Sequence, residues 1–249
     1  RILTTLILAD SGEAHINGFN VRTDLAQIRD SVGYMPGRFG LYQDLTVEEN
    51  LEFFATLFRT SIEENYELIR DIYEQIKPFK DRRAGALSGG MKQKLALSCA
   101  LIHQPKVLFL DEPTTGVDPV SRKEFWGMLR KLRGKGITIL VSTPYMDEAA
   151  FCDRIALIKE GKFLQVDTPS NIIASYPDRI WAVHAEDMSA LLKDLRSLTQ
   201  IKHSFAFGDV HHVNPDAELI PEELIRMLMQ RGHCNVGVEP QTPSIEDCY

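Results

Sequence analysis

The chain has 249 residues, of which 44% are hydrophobic and 25% charged, and a formal net charge of −7. This length can bury a full core, as one large domain or one domain with a small appendage, and the acidic balance argues against a surface that wraps nucleic acid. No apolar stretch reaches the length that crosses a bilayer. Cys99, Cys152, Cys234 and Cys248 are too scattered for a zinc ligand set and too few for a disulfide framework, so they read as free thiols in a reducing compartment.

In chain order, Ile2 to Leu8 reads as the end of a helix rather than a signal peptide, because it lacks an initiator methionine and a small-x-small cleavage site. Alternating Ala14 and Ile16 followed by Gly18 predict a strand leading to a turn. "VGYMPGRFG" predicts a short strand that runs into a loop. Thr46 with Glu49, and Ser61 with Glu64, have capping-box spacing and open a helical lobe over about residues 45–105, which continues into the long helix after Ser88. "KVLFLDEP" has the apolar run of a strand buried on both faces, and "GITILVSTP" repeats it one helix later. "RIALIKEGKFLQVD" adds two short strands. Strands alternating with helices predict a mostly parallel α/β sheet, with ligands at the carboxyl ends of its strands. From about Asp178 the order becomes β-α-β-β-α-β, a ferredoxin-like plan for residues 178–249, with the domain boundary expected near Pro169 to Pro177.

Two places carry chemistry. "ALSGGMKQKLALSCAL" begins an apolar helix with Ser88, Gly89 and Gly90, whose backbone amides and hydroxyl lie at the positive end of the helix dipole and suit an anion such as phosphate. Asp111 and Glu112 fall at the carboxyl end of the buried strand, where they serve either as a metal ligand and a general base or as caps for the following loop. A G-x-x-x-x-G-K-[ST] loop, which cradles phosphates from its own chain, does not occur in the sequence.

Together these motifs resemble the nucleotide-binding domain of ATP-binding cassette (ABC) transporters. "LSGGMKQK" is similar to that family's signature, "VLFLDEP" to its Walker B strand and "TTGVDP" to its D-loop. "YMPGRFGLYQDLTVEENL" and "ILVSTPYMDEA" are similar to the surroundings of its Q-loop and switch. The resemblance covers residues 1 to about 170 and implies a P-loop NTPase fold, ATP and Mg2+ as ligands, and ATP hydrolysis coupled to transport. Arg1 aligns with the helix just after the family's phosphate loop, which implies an N-terminally shortened domain. Asp111 is then expected to hold magnesium, Glu112 to be the catalytic base, and Asp118 to belong to the D-loop. Ser88, Gly89 and Gly90 are expected to bind a nucleotide held by a second such domain, paired head to tail. Gln93 either helps on that helix face or is solvated.

Two positions depart from the pattern. Gly37 stands where the Q-loop has glutamine, and Pro144, with neither donor nor titratable ring, where the switch has histidine. These changes predict a degenerate own site beside an intact signature that acts in trans. Phe39, Leu41 and Tyr42 either face a transmembrane permease or cover the lobe's own core. Trp126 reads as core, and His184, His203, His211 and His212 as surface residues without metal-ligand spacing. "LYQDLTVEENL" and "STPYMDEA" resemble the efflux branch, so the expectation is an exporter ATPase, cytoplasmic and peripheral at the inner face of the membrane through its permease. The alternatives are a non-hydrolysing regulatory half, which Gly37 and Pro144 favour, and a non-transport ABC ATPase, which the acidic balance disfavours.

Overall fold

The computed structural model describes residues 1–37 and 40–249, which form two compact units, Arg1–Pro144 and Tyr145–Tyr249. In the first, β1 (His15–Ile16) and β2 (Phe19–Asn20) form a hairpin across Asn17-Gly18. Both turn residues have positive φ, 51° and 87°, the backbone that an Asn-Gly turn adopts most readily. The N-terminal helix expected at Ile2 to Leu8 is instead an irregular turn with Thr5 at φ 58°, where the Thr4 hydroxyl competes for the Arg1 carbonyl at 3.0 Å.

Next come α1 (Leu25–Ser31), β3 (Val32–Met35), α2 (Val47–Leu57), α3 (Tyr66–Tyr73), α4 (Gly89–Leu101), β4 (Val107–Asp111), α5 (Pro119–Gly134) and β5 (Thr138–Ser142). The strands β3, β4 and β5 pair in parallel with β4 in the middle. As expected, β4 is buried, with Leu108, Phe109 and Leu110 in the core. The equally apolar β5 is not: its burial alternates, with Leu140 50% exposed on one face and Ile139 and Val141 half-buried on the other.

Thr46 and Glu49 form the expected capping box at the start of α2. The second pair also bonds, with the Glu64 amide donating to Ser61 Oγ at 3.2 Å, yet α3 begins later, at Tyr66. Asn65 intervenes there by donating to the Thr60 hydroxyl and the Ile102 carbonyl. The lobe's far end meets α4 at His103, whose ring stacks on Phe58 with centroids 3.8 Å apart. Its Nε2 lies 3.1 Å from the Val32 carbonyl, and burial holds the imidazole below the usual histidine range.

Close packing of α4 onto β3 depends on Gly33. A Cβ there would lie 2.4 Å from the Ala100 carbonyl and 2.9 Å from Leu108 Cδ1, so only glycine lets the helix settle at this depth. Cys99 on the same helix is buried and its thiol is pushed up by desolvation, as suits a packing group. Trp126 on α5 is buried, as expected.

The second unit contains β6 (Ile155–Lys159), β7 (Lys162–Asp167), α6 (Pro169–Ala174), β8 (Ile180–His184), α7 (Met188–Ser197), β9 (Ile201–Phe207), β10 (Val210–Pro215), α8 (Pro221–Gln230) and β11 (Gly237–Gln241). From β8 onward, four antiparallel strands in the order β11-β8-β10-β9 give the expected ferredoxin-like sheet. Its core is Trp181, Val183, Leu191, Leu195, Leu224 and Leu228, drawn from the sheet and both helices.

The boundary expected at residues 169–177 falls inside this unit, and the C-terminal segment explains why. Ile245 packs with Leu157 and Ile172 beside the β6–β7 hairpin, while Asp247 reaches the sheet. That contact also corrects the expectation of surface histidines, since His211 and His212 are buried. His212 Nδ1 lies 2.7 Å from Asp247 Oδ1 and its ring stacks on Phe207, while His211 Nε2 lies 2.7 Å from the Met188 carbonyl. His184 and His203 are exposed. Among the described residues no helix is long and apolar enough to cross a membrane.

Candidate functional site

Ser88 is the N-cap of α4, with extended backbone and a hydroxyl oxygen that accepts from the Met91 amide at 3.3 Å. This cap leaves the Gly89 and Gly90 amides at the helix start without an intrahelical acceptor. Ser88 and Gly89 are exposed, whereas Gly90 is buried. The two glycines therefore do different work. A Cβ on Gly89 would find only the Gly116 carbonyl, at an ordinary 3.7 Å, but one on Gly90 would lie 2.7 Å from Ser121 Oγ and 3.1 Å from Ser121 Cβ. Gly90→Ala is thus expected to lower stability by about 1–3 kcal/mol through overpacking, read as a drop in the denaturant midpoint at constant slope.

Ser121 belongs to the start of α5, where Asp118 is the N-cap. The Asp118 carboxylate accepts from the Ser121 amide at 3.0 Å, and this bond holds the carboxyl below the usual carboxylate range. The Ser88 and Asp118 helix starts thus adjoin, because the beginnings of α4 and α5 pack together across Gly90 and Ser121.

Gln93 lies neither on the exposed helix face nor in solvent. It is 1% exposed and its Nε2 donates to the Pro113 carbonyl at 2.8 Å, tying α4 to the turn after Glu112. The spacing that put it one turn beyond the signature could not reveal a partner 20 residues away.

Asp111 and Glu112 stand at the carboxyl end of β4, as expected, with Asp111 half-buried and Glu112 exposed. Glu112 has φ 46°, the left-handed region that non-glycine residues seldom occupy. Its amide is held there by the Ser142 carbonyl at 3.0 Å and the Ser142 hydroxyl at 3.2 Å. That hydroxyl in turn donates to Asp111 Oδ1 at 2.6 Å, and the Thr115 hydroxyl donates to Glu112 Oε2 at 3.2 Å. Ser142 and Thr115 are the contacts that reading the sequence missed. A serine at a strand end carries no periodic signal of its own.

Gly37 lies against the same turn, since a Cβ there would be 3.0 Å from the Asp111 carbonyl oxygen and 3.8 Å from Glu112 Cβ. Pro144 is exposed, two residues past Ser142. Neither supplies a polar side chain to the carboxylates. Among the described residues no three His, Cys, Asp or Glu side chains cluster as a protein metal cage. The donor chemistry fits magnesium bound with a nucleotide, because that ion keeps most of its waters and takes one or two carboxylates plus phosphate oxygens.

In the lobe, Leu41 is buried and so serves the local core, while Tyr42 is exposed and lies edge-on to Phe53 at 4.6 Å. Buried Asn50 shapes this stretch by accepting from the Tyr42 amide and donating to the carbonyls of Tyr42, Leu45 and Thr46. Tyr42, Phe53 and Leu57 form an exposed apolar strip, and Phe39 lies outside the described residues.

Comparison with known proteins places this geometry. The ABC transporter family profile matches residues 1–115. A probable multidrug ABC transporter ATP-binding protein of Escherichia coli K12 is 37% identical over all of this chain, which spans 43% of that protein's length. The daunorubicin resistance ATP-binding protein of Streptomyces coeruleorubidus is 32% identical over all of this chain and 80% of its own length. A dimeric ATP-binding cassette solved in a post-hydrolysis state with ADP and phosphate matches with a TM-score of 0.59 and 26% identity, over 67% of this chain and 77% of that one. With a signature at a capped helix start, a carboxylate pair at the end of a buried strand and these relatives, the chain belongs to the family of ABC transporter ATP-binding proteins.

Proposed function

We propose that the chain is the ATP-hydrolysing domain of an ABC exporter, working beside a second nucleotide-binding domain and a transmembrane permease at the inner face of the membrane. The observation that carries this reading is the coexistence, on one unit, of the exposed Ser88-Gly89 helix start and the Asp111-Glu112 pair at the end of β4. Relatives named for multidrug transport and daunorubicin resistance support the exporter assignment.

In this reading Asp111 would hold a hydrated magnesium ion, which would neutralise charge on the nucleotide's phosphates when bound. Glu112 takes a proton from the attacking water. The amides of Gly89 and Gly90 and the hydroxyl of Ser88 donate to the γ-phosphate of a nucleotide seated on the partner domain, a placement that suits the positive end of α4. Gln93 does not touch that nucleotide; it fixes α4 to the turn that carries Glu112. Asp118, by capping α5 next to Gly90, shapes the D-loop on the same side. The exposed strip of Tyr42, Phe53 and Leu57 is the permease contact.

This chain's own site is degenerate, because the positions of Gly37 and Pro144 lack the side chains that orient water and contact the γ-phosphate. The same two residues favour a second reading, in which this half hydrolyses nothing and only completes its partner's site. The test is ATP turnover by the full-length protein assembled with its partner domain and permease. Turnover that vanishes on chelating magnesium and returns on adding it back is expected, whereas an assembly that neither binds nor hydrolyses ATP contradicts the proposal.

A further inference from the structure

Resting on that reading, we propose that Ser142 is a positioning residue of the magnesium–nucleotide site, orienting the Asp111 carboxylate and fixing the backbone that carries Glu112. It is the last residue of β5, directly opposite Asp111 in the parallel register. From that place one side chain and one carbonyl make three bonds. The hydroxyl donates to Asp111 Oδ1 at 2.6 Å and accepts from the Glu112 amide at 3.2 Å, and the carbonyl accepts that amide at 3.0 Å.

Each bond has a reason to matter. Asp111 has one carboxylate oxygen held by Ser142, which sets the plane in which its lone pairs meet a metal, and partners of this kind tune metal affinity about 10–100-fold. Glu112 sits at φ 46°, a conformation that persists only where surrounding bonds over-determine it, and its amide has Ser142 on both acceptors. Thr115, the donor to Glu112 Oε2, secures the far end of the same side chain.

The residues at the two degenerate positions cannot share this work. Gly37 presents only backbone, and a Cβ there would lie a tight 3.0 Å from the Asp111 carbonyl, so a side chain would need that neighbour to give by a few tenths of an ångström. Pro144 has no donor. The orientation of Asp111 is therefore assigned to Ser142. Ser142 is itself exposed, so removing its hydroxyl leaves no buried polar group behind and the fold is expected to stand.

The experiment uses the full-length protein assembled with its partner and saturated with a non-hydrolysable ATP analogue. Mn2+ binding is followed by electron paramagnetic resonance, and analogue affinity is measured separately in chelator. In Ser142→Ala one class of Mn2+ sites is expected to weaken by about 10–100-fold, with the thermal midpoint and the metal-free analogue affinity unchanged. Ser142→Thr, which keeps the hydroxyl on an edge strand, is expected to restore wild-type Mn2+ binding. Unchanged Mn2+ affinity in Ser142→Ala overturns the role of Ser142 and leaves the ATPase reading intact. An equal loss of analogue affinity in chelator, or failure of the threonine to rescue, assigns Ser142 to structure and overturns the role too. A wild-type assembly that binds neither analogue nor Mn2+ overturns both readings together.

Discussion

Replacing Gly89 by aspartate is expected to lower ATP turnover of the assembled transporter by about 10²–10³-fold, the range for losing a preorganised donor to a developing oxyanion, without harming the fold. Both halves of that expectation come from the helix start. A Cβ at residue 89 meets only the Gly116 carbonyl at 3.7 Å and the position is exposed, so the start of a side chain is accommodated. A carboxylate in the first turn of α4 opposes the helix dipole favourably and should raise stability by about 0.3–1 kcal/mol. The same carboxylate repels a phosphate at that place. A variant that is as stable as the parent or more so, yet nearly inactive, separates a nucleotide contact from a helix-packing role. Gly90→Ala is the control, because there the loss is steric and shows first in stability.

The second large effect lies in an asymmetry between two glutamates. If Gly37 and Pro144 make this chain's site degenerate, Glu112→Gln should lower turnover of the pair by less than about tenfold, while the same change in the partner domain should cost the ~10²–10⁴-fold typical of a lost general base. Steady-state ATPase rates of the two single variants and the double variant decide it. Abolished turnover with Glu112→Gln, beside a near-normal rate for the partner's variant, would reverse the assignment of strong and weak sites. Equal losses from both would make the sites alternate rather than differ.

Much of the fold was legible because its signals are local. The capping box at Thr46, the buried run of β4 and the helix Pro221–Gln230 each follow from residues within one turn or one strand of each other. The capped start of α4 at Ser88 and the place of the Asp-Glu pair at the end of β4 were readable for the same reason. Partners distant in sequence were not. Gln93 bonds to a carbonyl 20 residues away, Ser142 to a carboxylate 31 away and His212 to one 35 away, and no periodicity or spacing encodes such pairs. Composition also misled at β5, where Ile139, Leu140 and Val141 read as a strand buried on both faces, whereas burial depends on what lies beside it. Adjacent His211 and His212 do point to opposite faces of their strand, yet both faces are covered, one by α7 through Met188 and the other by the C-terminal Asp247.

The central claim is that Ser88, Gly89 and Gly90 complete a nucleotide site on another domain. Its most direct test is titration calorimetry, counting molecules of a non-hydrolysable ATP analogue bound per assembled pair in the presence of magnesium, for the parent and for Gly89→Asp in this half alone. The account predicts two bound nucleotides in the parent, with the variant losing or weakening the one seated on the partner domain and leaving the other untouched. Two undisturbed sites in the Gly89→Asp assembly would contradict it, and would return the Ser-Gly-Gly start of α4 to the role of an ordinary helix cap.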